Sequence, residues 1–365
     1  MVGVASDRLS LDTVLVVNAG STSLKLALVT PDGSAETVES LAAAPSGVAA
    51  VAHRVVHGGA DFREPTLIDD AVAGELEKLA ELAPLHNTPA LAAIAEARSL
   101  LPDVPHIAVF DTAFHATIPE VASIYALPRR LREEWGIRRY GFHGLSVEWA
   151  AECVRVERLV VCHLGGGCSV TAVRGGRSVD TTMGFTPLEG VPMATRAGSV
   201  DPGALLYLLR RGLTVDELEH ALEHESGLLG LSETSERVDE LERSGDEHAR
   251  LALEVFAYRV AGAVGAMVTA LGGLDALVFT AGIGENSTLV RRLVCEHLHP
   301  LGVELYGSGA ARVVVLHARE DLIAARGARS LLGLSPQKMS PPSLSPGPGV
   351  GRNESPPASP ERAQE

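Results

Sequence analysis

A pattern of two short apolar runs joined by a small glycine- and serine-rich turn occurs twice in this chain of 365 residues. The first copy has its runs at 14–18 and 24–29, and the second copy has them at 159–163 and 170–173. Apolar and β-branched residues on both sides of such a turn predict a β-hairpin. Two copies of one hairpin, each with a polar residue at the end of its first run, predict a duplicated domain with a cleft between the halves.

The rest of the chain alternates between extended and helical patterns, which is typical of the α/β class. The predicted strands are 106–110 and 276–280. The predicted helices are 71–83, ended by the proline at 84, then 90–100, 202–211, 215–224, 248–271 and one from about 287. The apolar stretch 260–274 is shorter than the roughly 18 residues that a bilayer requires, so we expect it to be a buried helix.

Charge and composition narrow the functional class. The formal net charge of −15 argues against a protein that binds nucleic acid or membrane surfaces, because such phosphate-rich partners would be repelled. The negative net charge does not exclude small anionic ligands, since their binding depends on local arginines. The first twelve residues lack the basic and apolar segments of a secretory signal, and the four cysteines are too scattered for a disulfide framework or a zinc site. We therefore expect a cytoplasmic protein.

The end of the chain differs in composition from the rest. Residues 335–365 contain eight prolines and six serines. Such a segment buries too little apolar surface to offset the entropy lost on ordering, so it is predicted to be a disordered tail.

The turns of the two hairpins have the composition of phosphate-binding loops, because glycines let backbone amides converge on an anion and hydroxyls add donors. An ordinary polar turn would explain either one alone, but two such turns in one chain favour phosphate binding. A third glycine turn, at 282–284, joins a predicted strand to a helix, where a nucleotide can bind. It matches only half of the dinucleotide-binding fingerprint, since Ser287 stands at the third glycine position. The candidate nucleotide- or phosphate-binding residues are Ser21, Ser23, Lys25, His163, Gly165, Gly166, Gly167, Gly282, Ile283, Gly284, Glu285 and Asn286.

Several arginine, histidine and aspartate residues lie beside glycines or at the ends of predicted strands. A solubilising charge or a structural histidine explains any one of them more simply. Together they indicate a ligand site, because open α/β sheets bind ligands at the ends of their strands. They are Arg54 in HRVVHGG, Asp111 in VFDTAFH, His143 in RRYGFHGLS and Arg196 in MATRAGS.

These motifs, in this order, closely resemble those of the acetate kinase (acetokinase) family over about residues 14–332. The matching strings are VLVVNAGSTSLKLALV, HRVVHGG, LAPLHN, VFDTAFH, IPEVASIYALP, RRYGFHGLS, CHLGGGCSV, MGFTPLEGVPMATRAGSVDPG, ESGLLGLS and VFTAGIGENS. The resemblance implies a duplicated ribonuclease-H-like fold of the actin, sugar-kinase and Hsp70 type. Its first domain would be 12–146, completed by a helix at 322–334, and its nucleotide-binding domain would be 147–321.

The resemblance also implies a function and a set of site residues. The function is reversible phosphoryl transfer between ATP, as co-substrate, and acetate, giving acetyl phosphate and ADP, with Mg²⁺ or Mn²⁺ and in a homodimer. The implied residues are Asp111, His143, Arg54 and Arg196 in catalysis, both arginines and His86 in substrate binding, and Asn18 and Glu320 on the metal side.

Two alternatives stay open at this point. The acyl acceptor could be propionate or another short-chain carboxylate, because the sequence does not separate an acyl pocket from ordinary core residues. The second alternative is that the chain is a weakly active, kinase-derived regulatory or binding protein. Gly166, which replaces a residue that is usually Asn or Ser, favours it, and so do segments shorter than in the family: the one between the first hairpin and His53, the adenine-side segment 233–237, which lacks the usual Asp-x-Arg pattern, and 304–313. A further departure is Val147, which replaces a common His.

Overall fold

The computed structural model describes residues 12–20, 24–82, 84–305 and 309–338. For residues 81, 82 and 84–86 it describes only the backbone. Ser21, Ser23 and most of the predicted tail, 339–365, lie outside the described residues. The side chain of His86 also lies outside them.

The first hairpin belongs to a sheet of six strands. They are β1 (Val14–Ala19), β2 (Leu24–Val29), β3 (Ala35–Val38), β4 (Ala50–Val55), β5 (Thr66–Leu67) and β6 (His106–Phe110). Their order is β3-β2-β1-β4-β6-β5. The strands β1, β2 and β3 are antiparallel neighbours, β4 runs parallel to β1, and β6 runs parallel to β4. Strand β5 is a short antiparallel edge.

The second hairpin begins a sheet of the same design. Its strands are β7 (Arg158–Leu164), β8 (Cys168–Arg174), β9 (Arg177–Thr181), β10 (Ala276–Thr280) and β11 (Arg312–Val315). The order is β11-β10-β7-β8-β9, with three antiparallel strands followed by two parallel ones. Both predicted hairpins are confirmed, and the repeated connectivity confirms the predicted duplicated α/β fold.

Thirteen helices are found in the described part of the chain. They are α1 (Asp70–Lys78), α2 (Pro84–Leu100), α3 (Glu120–Ser123), α4 (Arg129–Trp135), α5 (Gly144–Cys153), α6 (Pro202–Arg210), α7 (Val215–His224), α8 (Gly227–Ser232), α9 (Val238–Ser244), α10 (Glu247–Leu271), α11 (Ala281–Asn286), α12 (Thr288–Leu298) and α13 (Glu320–Leu332).

Two helix boundaries were predicted wrongly, namely the end of helix 71–83 and the start of helix 90–100. The predicted helix 71–83 ends at Lys78 and continues as a short 3₁₀ turn, Leu79–Leu82. Pro84 begins α2 rather than only ending the helix before it, because proline suits the first turn of a helix, where its missing N–H is not needed. The turn at 282–284 lies inside α11, which precedes the predicted helix near 287.

One apolar core joins the two sheets. It contains strand residues from both sheets together with side chains from α5 and α13. The helix α13 packs against β1 and β4, so the chain returns to the first sheet after completing the second. This return brings Glu320, the first residue of α13, to the side of the molecule where β1 and β4 end.

The long helix α10 covers the other face of the second sheet. By length and composition alone it could cross a bilayer. Its buried side chains, among them Phe256, Val260 and Val264, belong to the core against β7 and β8. We therefore describe α10 as a core helix, as predicted for 260–274.

The first residues of the predicted tail are attached to the first sheet. Arg329, which is buried, donates from Nε to Gln337 Oε1 at 2.9 Å and from Nη2 to the carbonyl of Val29 at 3.1 Å. Gln337 Nε2 donates to the carbonyl of Thr30 at 2.9 Å. Residues 335–338 are thus held by buried hydrogen bonds, which their proline- and serine-rich composition does not predict.

Candidate active site

Three neighbouring strands of the first sheet end in polar residues. Because β1, β4 and β6 are parallel, their carboxyl ends meet at one edge, and there lie Asn18, Arg54 and Asp111. Arg54 Nε lies 3.1 Å from each carboxylate oxygen of Asp111, and Arg54 Nη2 also donates to Asp111. Arg54 Nη1 donates to Asn18 Oδ1 at 3.0 Å. These contacts bring together three of the residues that the sequence predicted as one site.

Burial and pairing act in opposite directions on this ion pair. The side chain of Asp111 is fully buried and that of Arg54 is 14% exposed. Burial raises the pKa of Asp111, and the Arg54 guanidinium opposes that rise. Burial also disfavours the charge on Arg54, but Asp111 and Glu320 outweigh it and raise the pKa of Arg54. Arg54 therefore stays cationic, with one edge fixed by a carboxylate.

Glu320 reaches this cluster from the far end of the chain. Its Oε2 accepts from Asn18 Nδ2 at 3.2 Å and lies 3.9 Å from Arg54 Nε. Burial favours the neutral carboxyl, but Arg54, then His163 and Asn18, outweigh it, so the pKa of Glu320 is lowered. Glu320 is thus an anion beside Asn18; these are the two residues that the family resemblance places on the metal side.

Two predicted histidines stack against each other next to this cluster. The ring centroids of His143 and His163 are 4.0 Å apart. His143 Nδ1 lies 3.0 Å from Ser169 Oγ, and His163 Nδ1 lies 2.8 Å from Ser146 Oγ. Burial and the neighbouring His163 lower the pKa of His143 well below its usual value, and burial lowers the pKa of His163 to about 4. Both rings are therefore neutral near pH 7.

Neutral buried histidines make stability depend on pH. Burial lowers the pKa of His53 to about 3, of His57, His115 and His163 to about 4, and lowers that of His143 too. Because the unfolded chain takes up these protons below about pH 6.5 and the folded chain does not, the lowered pKa values leave stability unchanged above that pH and destabilise the fold increasingly as the pH falls toward 4. Each histidine contributes a slope of at most about 1.4 kcal/mol per pH unit. We expect the free energy of unfolding, measured by urea denaturation, to fall steeply from pH 6.5 to 5; a flat profile would contradict these neutral states.

Arg196 and Arg54 both line a cavity of about 280 Å³. A Cβ atom built on Gly167 would lie 3.2 Å from His143 Nε2 and 3.7 Å from Arg196 Nη1, so both side chains face the glycine turn of the second hairpin. The cavity lining includes the polar residues Arg54, Asp111, His143 and Arg196, the apolar residues Val56, Phe142 and Pro187, and the glycines Gly166 and Gly167. The apolar residues were missed by sequence reasoning, because each looks like an ordinary core or loop residue in its own motif.

The second glycine turn continues into two larger cavities. One, of about 530 Å³, lies between α9 and α11, and the other, of about 860 Å³, extends toward β2 and α13. Predicted nucleotide-side residues line one or both of them: Lys25, His163, Gly165, Gly166, Gly282, Ile283, Glu285 and Asn286.

Two of the predicted nucleotide-side residues have structural contacts that the sequence did not indicate. Gly284 is buried, and a Cβ atom there would lie 3.3 Å from the backbone of Phe279. Glu285 accepts from the backbone N–H of Ala318 at 3.0 Å, and its Oε2 lies 2.6 Å from His317 Nδ1. The carboxylate of Glu285 thus ties α11 to the segment that leads into α13.

One family model matches most of this chain. The model described as "Acetokinase family" matches residues 38–313. The chain belongs to this family. An acetate kinase from Synechococcus sp. (strain JA-2-3B'a(2-13)) is 47% identical over 311 residues, which are 78% of this chain and 77% of that protein.

Solved structures of family members share the fold. A propionate kinase from Francisella tularensis subsp. tularensis SCHU S4 has a TM-score of 0.78 at 32% identity, covering 87% of this chain and 98% of its own. An acetate kinase from Porphyromonas gingivalis has a TM-score of 0.76 at 31% identity, covering 88% of this chain and all of its own. These structures agree with the ribonuclease-H-like arrangement implied by the sequence resemblance.

Proposed function

We propose that this protein is an acetate kinase, which reversibly transfers the γ-phosphoryl group of ATP to the carboxylate of acetate and so gives acetyl phosphate and ADP. The observation that carries the proposal is that Arg54 and Arg196 line one small cavity together with apolar side chains. A short carboxylate needs a cationic surface for its oxygens and an apolar surface for its alkyl group. Membership of the acetokinase family supports the same reaction.

The residues of the cavity suit this chemistry. Acetate is a competent nucleophile at neutral pH, so the barrier arises from bringing two anions together rather than from removing a proton. Guanidinium groups match carboxylate and phosphoryl oxygens in a bidentate manner. We assign Arg54 and Arg196 to holding these groups in line, and neutral His143 to hydrogen bonding with the phosphoryl group from its Nε2 side. Asp111 orients Arg54 and takes no proton.

The charges of the site fit a divalent metal ion. Glu320 is an anionic carboxylate and Asn18 is a neutral amide, and both line the same cavity of about 860 Å³. Carboxylate and amide oxygens are ligands that Mg²⁺ and Mn²⁺ accept. We assign Asn18 and Glu320 to the metal side, where the bound ion would neutralise the phosphates of ATP.

The nucleotide is assigned to the cavity between α9 and α11. The N-terminal turn of α11, with Gly282 and Ile283, and the turn at Gly165 and Gly166 border it, and backbone amides at a helix N-terminus favour phosphate. The phosphates would extend past His163 toward Lys25 in the neighbouring cavity. Ser21, Ser23 and His86 keep their assignments from the family resemblance.

Propionate is the second candidate acceptor. The apolar patch of Val56, Phe142 and Pro187 borders the cavity, and a family member of similar fold is a propionate kinase. One additional methylene in an apolar pocket changes the free energy by only about 1–3 kcal/mol, so both acids could be substrates with unequal efficiency.

The direct test is hydroxylamine trapping of the acyl phosphate formed by purified full-length protein with ATP, Mg²⁺ and acetate. The assay is repeated with propionate and butyrate, and with EDTA in place of the metal. We expect turnover on acetate or propionate that EDTA abolishes. Absence of acyl phosphate from a folded protein that still binds ATP would instead support the kinase-derived binding protein.

We also propose a homodimer, located in the cytoplasm. None of the nine residues of α6 is buried, although it carries Leu206, Tyr207 and Leu208, which are 51%, 59% and 36% exposed. Exposed apolar side chains clustered on a helix with no buried residue are typical of a subunit interface. Sedimentation velocity is expected to show a dimer that Tyr207→Glu shifts toward monomer.

A further inference from the structure

Arg196 and Arg54 are each held by a carboxylate, but the carboxylates come from different parts of the fold. Arg54 is held by Asp111, which follows the neighbouring strand β6. Arg196 Nε lies 3.0 Å from Oε2 of Glu223 in the last turn of α7. Both side chains of the second pair are mostly buried, at 14% and 15% exposure. No motif that identified the other site residues contains Glu223.

The backbone around Arg196 is fixed to the same end of α7. Ala197 N donates to the carbonyl of Leu222 at 3.0 Å, and Thr195 Oγ1 donates to the carbonyl of Glu223 at 2.7 Å. Ser226 N donates to the carbonyl of Thr195 at 2.9 Å. The residues on both sides of Arg196 are therefore attached to the segment that carries Glu223. Since the two backbones form one unit, the Glu223 carboxylate fixes the side chain of Arg196 rather than the path of its loop.

The orientation of the guanidinium follows from this pairing. Glu223 takes the Nε edge, while Arg196 Nη1 lies 3.9 Å from Met193 Sδ and near the glycine turn at Gly167. An arginine side chain has several rotatable bonds, and a partner that binds one edge removes much of that freedom before the ligand arrives. Glu223 also offsets one of the two like charges that Arg54 and Arg196 place around a single cavity.

We propose that Glu223 is a positioning residue for the phosphoryl-transfer reaction, because it binds Arg196 and directs its Nη1 edge toward the glycine turn where the transferring group lies. This inference rests on the proposed function. Glu223 touches no substrate; it acts through Arg196. It makes the end of α7 a part of the active site.

The test is a double-mutant cycle of Glu223→Ala and Arg196→Ala in the full chain, read as kcat and KM for acetate. We expect Glu223→Ala alone to lower kcat by about 10- to 100-fold, because a displaced catalytic group loses roughly this factor. In the Arg196→Ala background the same change should have almost no further effect, since the residue through which it acts is gone. Glu223→Gln, which keeps an oxygen acceptor for Nε, should retain kcat within about 3-fold of the wild type if orientation rather than charge is the main contribution.

Controls separate positioning from a merely structural role. Glu219→Ala removes an exposed carboxylate one turn earlier on α7 and should leave kcat unchanged. The affinity for ATP should be the same in Glu223→Ala as in the wild type, because the cavity between α9 and α11 does not include Glu223. The proposal would be overturned if the two losses of kcat multiplied in the double variant, or if Glu223→Ala kept the wild-type kcat.

The same cycle is also measured as affinity for acetyl phosphate by calorimetry. If the wild type shows no turnover, the proposed function fails, but the positioning role is still tested by whether the two substitutions weaken binding independently. The positioning role would be overturned if the two substitutions lowered the affinity independently. It would be supported if Glu223→Ala lowered the affinity of the wild type but not that of the Arg196→Ala variant.

Discussion

Replacing Arg54 with alanine is expected to lower kcat for acetyl phosphate formation by at least about 1000-fold, since groups that stabilise charge in a transition state contribute this much or more. Arg54 lines the reaction cavity and is the group that Asp111, Asn18 and Glu320 all contact. Its removal takes positive charge from one wall and also releases these three side chains from their fixed positions. Arg54→Lys keeps a charge but not the planar edge that binds Asp111, so it should recover only a small part of the activity. The measurement is steady-state kinetics with hydroxylamine trapping.

A control distinguishes loss of chemistry from loss of fold. Arg54→Ala leaves the fully buried Asp111 without its cation, and breaking a buried pair in this way destabilises by about 3–5 kcal/mol. Adding Asp111→Asn removes the uncompensated charge, so the double variant should recover most of the free energy of unfolding but none of the activity. A rate close to wild type in Arg54→Ala would contradict the assignment of this cavity as the active site.

The sequence predicts the position of Arg54 better than its contacts. Apolar runs such as 14–18 and 106–110 alternate with helices, so parallel strands and their polar ends could be predicted from pattern alone. Which strands are neighbours could not: Asn18 and Arg54 meet because β1 pairs with β4, a result of tertiary packing. Glu320 contacts Asn18 across 302 residues of chain, and this contact depends on the return of α13 to the first sheet.

The residues that could not be predicted from sequence are of two kinds. Some contact and orient another residue of the site, and the others form the apolar part of the cavity lining. Glu223 lies in a segment with no glycine or strand-end signal and is identified only by its contact with Arg196. Ser169 and Ser146 lie within the quoted motifs CHLGGGCSV and RRYGFHGLS, but only their contacts with His143 and His163 distinguish them from ordinary turn and helix residues. Val56 and Phe142 cannot be distinguished from core residues by sequence, because a pocket wall and a core both favour apolar side chains. The glycine turn of the second hairpin, in contrast, was predictable, since few other residues permit close backbone approach.

Gly144→Ala is expected to lower kcat by about 100-fold, because it displaces His143 and Asp111, two residues of the proposed active site, by a fraction of an ångström or more. Gly144 follows His143 at the start of α5, and its N–H donates to the carbonyl of Asp111 at 3.0 Å. A Cβ atom at this position would lie 2.1 Å from that carbonyl oxygen and 3.0 Å from Phe114 Cβ. Because the first contact is with backbone, no side-chain rotation relieves it, and α5 must move away from Asp111.

The matched control is Gly265→Ala in α10, another glycine within a helix. No atom outside its own helix lies within 4 Å of a Cβ atom built there. Alanine is favoured over glycine in helices by about 1 kcal/mol, so Gly265→Ala should be neutral or slightly stabilising and fully active. Gly144→Ala should instead lose about 1–3 kcal/mol of stability through overpacking, together with its activity. If Gly144→Ala kept wild-type kcat, α5 could shift without disturbing His143 and Asp111, and the close approach of Gly144 to the Asp111 carbonyl would not be needed for catalysis.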